Sequence, residues 1–197
     1  QSTEDIAALR GVPQISIYSP GDRFELTACA EHIVRNPGPA YMRMGKADLG
    51  DVHRGPIEGW SHGDLIPVTN TGAPYLFIGT GSGLKMAQKA AAALGNADVV
   101  SAPCLKPFPA KSLRELARGR EAIVTFEEHS IYGGLGGVVA ETLMGQYLGT
   151  FVRVGIQDQF SSLCGNYSFL MESHGLSSEA VERQIREVLN ASVQLQD

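Results

Sequence analysis

The chain has 197 residues, 43% of them hydrophobic and 19% charged, and its 16 basic and 21 acidic side chains give a formal net charge of -5. That composition can bury a core, which argues against disorder, and the absence of a long basic run argues against a nucleic-acid partner. Cys29, Cys104 and Cys164 are dispersed without a CxxC pair, and no apolar run reaches membrane-spanning length, so a disulfide framework, a thiolate zinc site and a membrane partner are not expected. The opening QSTEDIAALRGVP has no signal-peptide layout, and a reducing, cytoplasmic location is the expectation. A helical pattern starts almost at once and there is no initiator Met, which suggests a truncated or processed chain.

Gln14 to Tyr18 alternates in the manner of a strand. Pro20 stops it, and Asp22 is a good N-cap for a helix carrying Phe24, Ala28, Ile33 and Val34. Asn36-Pro37-Gly38-Pro39 ends that helix, and Ala40 to Met44 is a second short strand candidate. Gly45 to Gly63 has no apolar period and reads as a linker. Beyond it, Asp64 to Thr69 suits an edge strand, and Tyr75 to Gly79 a buried one. Then come an Ala-rich helix (Leu84 to Leu94), a strand (Ala97 to Ser101), a helix (Ala110 to Ala117) and a strand (Glu121 to Phe126). A helix over Gly136 to Leu148, a strand over Phe151 to Ile156 and an amphipathic helix over Ser177 to Leu189 complete the series.

Strands joined by helices imply an α/β fold, a three-layer sandwich with a mostly parallel sheet. The expected organisation is a partial α/β domain over 1–46, a linker over 47–63 and the sandwich over 64–197. Sites in such sheets sit at the carboxyl ends of strands.

Four features qualify by position. Gly79-Thr80-Gly81-Ser82-Gly83 joins a strand to a helix and could cradle a phosphate, but it lacks the GKS/T ending and GxGxxG, so a tight packing turn is the simpler reading. Glu127, Glu128 and His129 follow a strand and could serve acid–base chemistry or an interface; alternatively, one carboxylate caps backbone amides. Gly133, Gly134 and Gly136 precede a helix and allow close approach of another surface. Arg43 and Lys46 lie just past a strand, where two cations could hold a phosphate. His53 and His62 have no recognisable partner, and Cys104 reads as a packed thiol.

In order along the chain, these segments resemble the transketolase family. Glu4 to Pro13, Ser19-Pro20-Gly21-Asp22 and Glu25 look like the late part of its pyrimidine-binding domain, and Gly38 to Lys46 resembles the strand-and-basic segment that follows. Val124 to His129, Gly133-Gly134-Leu135-Gly136 and Val139-Ala140-Glu141 are similar to its C-terminal domain motif. Gly155 to Phe160, Tyr167 and His174-Gly175-Leu176 resemble its closing segment. Deoxyxylulose-phosphate synthases fit also, and β subunits of 2-oxo acid dehydrogenases less well.

The resemblance implies a dimeric enzyme that uses thiamine diphosphate and Mg2+ to move a two-carbon ketol unit between sugar phosphates. It places the diphosphate, the metal and the activating glutamate on segments preceding Gln1, so no catalytic residue, no metal ligand and no bound cofactor is expected in this chain alone. The expected partners are an N-terminal cofactor-binding part or subunit and a second copy of the chain. The resemblance also makes Lys46 a holder of the substrate phosphate, where the family usually has Arg; lysine keeps the charge and loses the bidentate fork. The expected function is therefore the mainly structural C-terminal part of a transketolase-type transferase, itself inactive. A non-catalytic assembly domain, or a regulatory domain binding a small molecule at Gly79 to Gly83, is the alternative.

Overall fold

The structure, a computed structural model, describes residues 2–62 and 64–194. The first part holds α1 (Asp5–Arg10), β1 (Ser16–Tyr18), α2 (Arg23–Arg35) and β2 (Ala40–Met42). Asp22 starts α2 as its composition predicts: the side chain accepts from Phe24 N and Glu25 N. No strand or helix occurs among the described residues between 43 and 65.

The second part runs β3 (Ile66–Pro67), β4 (Tyr75–Gly79), α3 (Gly83–Leu94), β5 (Ala97–Ser101), β6 (Cys104–Lys106), α4 (Ala110–Ala117) and β7 (Ala122–Ser130). It closes with α5 (Leu135–Leu143), β8 (Thr150–Ile156), α6 (Tyr167–Ser173) and α7 (Ser178–Gln194). The main sheet has the order β3-β5-β4-β7-β8, parallel except for β3 on the edge.

Period-2 side-chain alternation sends each strand's residues into two cores. Leu76, Ile78 and Ile123 pack with α4 and α5 through Leu113, Leu135 and Val139, and Ile6 of α1 joins them. Phe77, Val124, Phe126 and Val154 face the other way onto Leu84 and Ala87 of α3 and Val181 and Ile185 of α7. Complete burial of each large apolar side chain contributes about 1.5–3 kcal/mol. The three-layer α/β sandwich is thus present.

Three elements depart from the sequence reading. β6 pairs antiparallel with β1, so a strand from the second part completes the sheet β2-β1-β6. Three residues beside a proline carry too little pattern to be seen. α6 was also missed: Asn166 caps it by accepting from Phe169 N, but its seven residues bury none fully. β7 runs on to Ser130, past its last apolar residue Phe126, because Glu127 and His129 continue the inward alternation as buried polar groups.

Candidate functional site

β5 lies on one side of β4 and β7 on the other, so the winding reverses at the carboxyl ends of β4 and β7. In a doubly wound sheet that is the place for a ligand crevice. Here the chain itself fills it. In the loop Gly79 to Gly83, Gly81 N donates to Ser19 O at 2.8 Å and Thr80 N to Phe126 O at 3.2 Å. Thr80 Oγ1 donates to Ala102 O at 2.9 Å. A Cβ on Gly83 would come within 2.6 Å of Phe126 C, so glycine lets α3 press against β7. This is a packing turn that docks Ser19 against the sheet.

Glu127 and His129 point from β7 toward the start of α5. The Glu127 carboxylate is fully buried and accepts from Leu135 N at 2.5 Å and Gly136 N at 3.0 Å. It thereby satisfies orphan amides at a helix N-terminus, where the dipole favours an anion. His129 Nε2 lies 2.7 Å from Glu127 Oε2, off the line of an aligned hydrogen bond. A Cβ on Gly134 would lie 2.6 Å from His129 Nε2, and one on Gly133 would lie 2.9 Å from Ala7 Cβ. Gly136 is pressed in turn against Arg153. Arg10 of α1 reaches over this loop, donating to Gly133 O at 2.9 Å and Glu141 Oε2 at 2.6 Å. The close approach the glycines permit is therefore one within the chain.

Glu128 faces away from Glu127, 3.7 Å from Arg43. Arg43 Nη1 holds both Asp5 oxygens at 2.7 Å, and Tyr41 Oη donates to Asp5 at 2.5 Å. Burial pushes the Asp5 carboxyl up, but the Tyr41 and Arg43 contacts outweigh it and hold the group below the ordinary carboxylate value. Burial also raises the nearby Tyr167 hydroxyl to about 12. Arg43 and Lys46 are thus not equivalent. Arg43 is committed to Asp5, whereas Lys46 is exposed and makes no ion pair among the described residues. The loop carrying Lys46 borders a cavity of about 560 Å³ whose other wall is the start of α2.

Behind that cavity, Asp22 works twice. Its Oδ1 caps α2, and its Oδ2 accepts from Val52 N at 3.0 Å and His53 N at 2.8 Å. His53 Nε2 sits 2.7 Å from Glu25 Oε1, and Glu25 is fully buried. Burial opposes protonation of His53, but the hydrogen bond and charge of Glu25 win and raise its basicity. At the other end of the segment, His62 Nδ1 lies 3.2 Å from Tyr18 Oη. His53 and His62 therefore both have partners, on α2 and β1, that no local pattern announces. Cys104 is buried, its thiol donates to Pro107 O, and burial pushes it up to about 12, as a packed thiol should be.

The strongest buried charge lies elsewhere and was missed. Asp98 accepts from Thr71 N, Gly72 N and Ala73 N and pairs with Arg120 at 2.7 Å. Burial alone would raise it, yet these donors lower it to about 2. Its one sequence signal is a charge inside an apolar strand.

A site for thiamine diphosphate and Mg2+ needs carboxylates with oxygens to spare. Asp5, Asp22, Glu25, Asp98 and Glu127 all have theirs engaged by protein donors. No group of three or more His, Cys, Asp or Glu among the described residues is arranged to hold a metal ion. Those five carboxylates therefore have no oxygen to spare for the ion. No helix among the described residues is long and apolar enough to cross a membrane.

Comparison with known proteins agrees with this architecture. The family described as transketolase, C-terminal domain, matches residues 66–181, more than half the chain. A 6-deoxy-6-sulfo-D-fructose transketolase subunit of a Clostridium species is 29% identical over 196 residues, spanning 95% of this chain and 58% of that protein. The 1-deoxy-D-xylulose-5-phosphate synthase of Bordetella avium is 33% identical over 185 residues, covering 93% of this chain but 29% of that enzyme. Among solved structures, a split-gene transketolase described as an inactive beta4 tetramer superposes with a TM-score of 0.85 at 30% identity, covering 98% of this chain and 62% of that one. The chain spans about 60% of the length of the transketolase subunits it matches.

Proposed function

The chain belongs to the transketolase C-terminal domain family, and from that premise we propose that it is the C-terminal part or subunit of a thiamine-diphosphate-dependent transketolase. The whole enzyme would transfer a two-carbon ketol unit between sugar phosphates in the cytoplasm. The observation that carries a structural role is the fate of the strand-end charges: Glu127 is spent on the amides of α5, and the crevice at the switch point is filled by Ser19. When bound, thiamine diphosphate supplies carbanion stabilisation; we assign it and Mg2+ to an N-terminal part or subunit.

Within this reading, Lys46 meets the substrate phosphate as a point charge, and Arg43, fixed by Asp5, holds the strand end from which the Lys46 loop departs. The division into 1–46, 47–63 and 64–197 and the formation of a homodimer belong to the same proposal. The exposed Tyr132, beside the loop Gly133 to Gly136 that is itself packed within the chain, marks the face proposed for the dimer.

The test is reconstitution. Alone, the chain is expected to give no heat with thiamine diphosphate and Mg2+ in calorimetry and no ketol transfer in a coupled assay. Mixed with its cofactor-binding partner, it is expected to give transfer, and Lys46→Ala is expected to raise KM for the sugar phosphate about tenfold, the loss of one charged contact. Micromolar cofactor binding or turnover by the chain alone overturns the reading. A second reading, a deoxyxylulose-phosphate synthase, is favoured by the 33% identity to that enzyme, and product analysis of the mixture separates the two.

A further inference from the structure

Between β2 and β3 the chain crosses α2 as a strap that has no regular structure among its described residues. Its middle is tied firmly: Val52 N and His53 N are held by Asp22, and His53 contacts Glu25. Asp51 adds an ion pair with Arg23 at 2.9 Å, and its carbonyl accepts from Lys85. The far end is tied in another way. The His62 and His32 rings lie with centroids 4.5 Å apart, and Trp60 stands edge-on to His32 at 5.7 Å and to Tyr18 at 6.4 Å. Tyr18 Oη reaches His62 Nδ1, and Trp60 Nε1 donates to Asp64 O. His32 Nε2 is buried and has no hydrogen-bond partner.

This far end offers no acceptor to a charge on His32 Nε2. Two imidazolium rings at that separation repel, and a proton on His32 Nε2 would be a buried charged donor without an acceptor. Among the described residues no carboxylate hydrogen-bonds or ion-pairs with either ring, and the Asp64 carboxylate on the same strap is held by Ser61 N and Oγ. The groups around them are Arg35, which is paired with Glu31 at 2.8 Å, and Tyr18, backed by Cys29 and Cys104. We propose that residues 60–62 are a pH-operated latch on α2, closed while His32 is neutral and released when His32 takes a proton, with the His53–Glu25 tie holding the middle of the strap in place.

The two ties respond to pH with opposite sign. Burial, then His62 and Arg35, lower the basicity of His32, so its contribution to the closed state is lost as pH falls below the ordinary imidazole value of about 6.5. His53 is raised, so its contribution is present below that value and lost as pH rises through the raised one. Both ties are closed together near neutrality. This inference stands on the strap's own geometry and does not depend on the transketolase reading.

Trp60 is the single tryptophan of the chain, so its fluorescence reads the latch directly. From about pH 7.5 to about pH 5.5 the emission is expected to shift to the red and acrylamide quenching to rise about twofold, with the far-ultraviolet circular dichroism unchanged. His62→Gln is expected to remove that transition. An unchanged Trp60 over this range, or the same transition in His62→Gln, overturns the proposal. Proton NMR titration of the wild-type chain tests it without substitution: His32 titrating below free imidazole supports the latch, and His32 titrating as a free imidazole refutes it.

Discussion

The carboxyl end of β7 and the strap over α2 make an instructive pair, because both gather histidine and carboxylate at a strand end or helix start. At β7, Glu127 is fully buried and His129 nearly so, and the carboxylate is consumed by the first amides of α5. At the strap, His62 and Trp60 and the His32 of α2 beneath them are half-buried, and Lys46 at the strap's start is exposed. Where charge is buried and answered by backbone donors, it fixes one structure. Where it is partly wet, it can change state or meet another molecule. The β7 end therefore reads as framework and the strap region as the responsive part.

That contrast is open to attack by substitution. The largest effect is expected at β7: Glu127→Ala removes the acceptor for two buried amides and should cost about 3–5 kcal/mol in urea unfolding. A cost under about 1 kcal/mol would make Glu127 a candidate for chemistry instead. Gly83→Ala should follow at about 3 kcal/mol, because the added methyl meets the Phe126 backbone and α3 must lift from β7. Asp98→Asn is expected to cost about 2 kcal/mol, the equivalent of lowering its carboxyl to about 2. The depressed value means this stabilisation is complete above the ordinary value of about 3.9 and is lost as pH falls toward 2. Acid unfolding that is unchanged in Asp98→Asn would contradict it. Asp22→Ala should cost about 1–2 kcal/mol as a lost N-cap and also raise amide exchange at Val52 and His53. Lys46→Ala should stay within about 0.5 kcal/mol of wild type by the same unfolding measurement. A larger loss would show that Lys46 belongs to the framework, and the contrast would fail.

Much of this molecule was written locally. Period-2 apolar runs marked β4, β5, β7 and β8, Asp22 marked the start of α2, and glycine runs marked turns, because each signal lies within one or two turns of chain. The ordered motifs from Glu4 to Leu176 also carried the family. Tertiary structure alone decided the rest. β6 exists because β1 offers an edge to it, and Glu25 is a buried partner because His53 returns to it 28 residues later. Likewise, Arg43 and Lys46, three residues apart, divide into a tied and a free cation only once α1 brings Asp5 beside the first of them. The physical reason is common to all three: whether a polar group is satisfied depends on donors and acceptors that distant parts of the chain deliver, and local pattern does not encode their arrival.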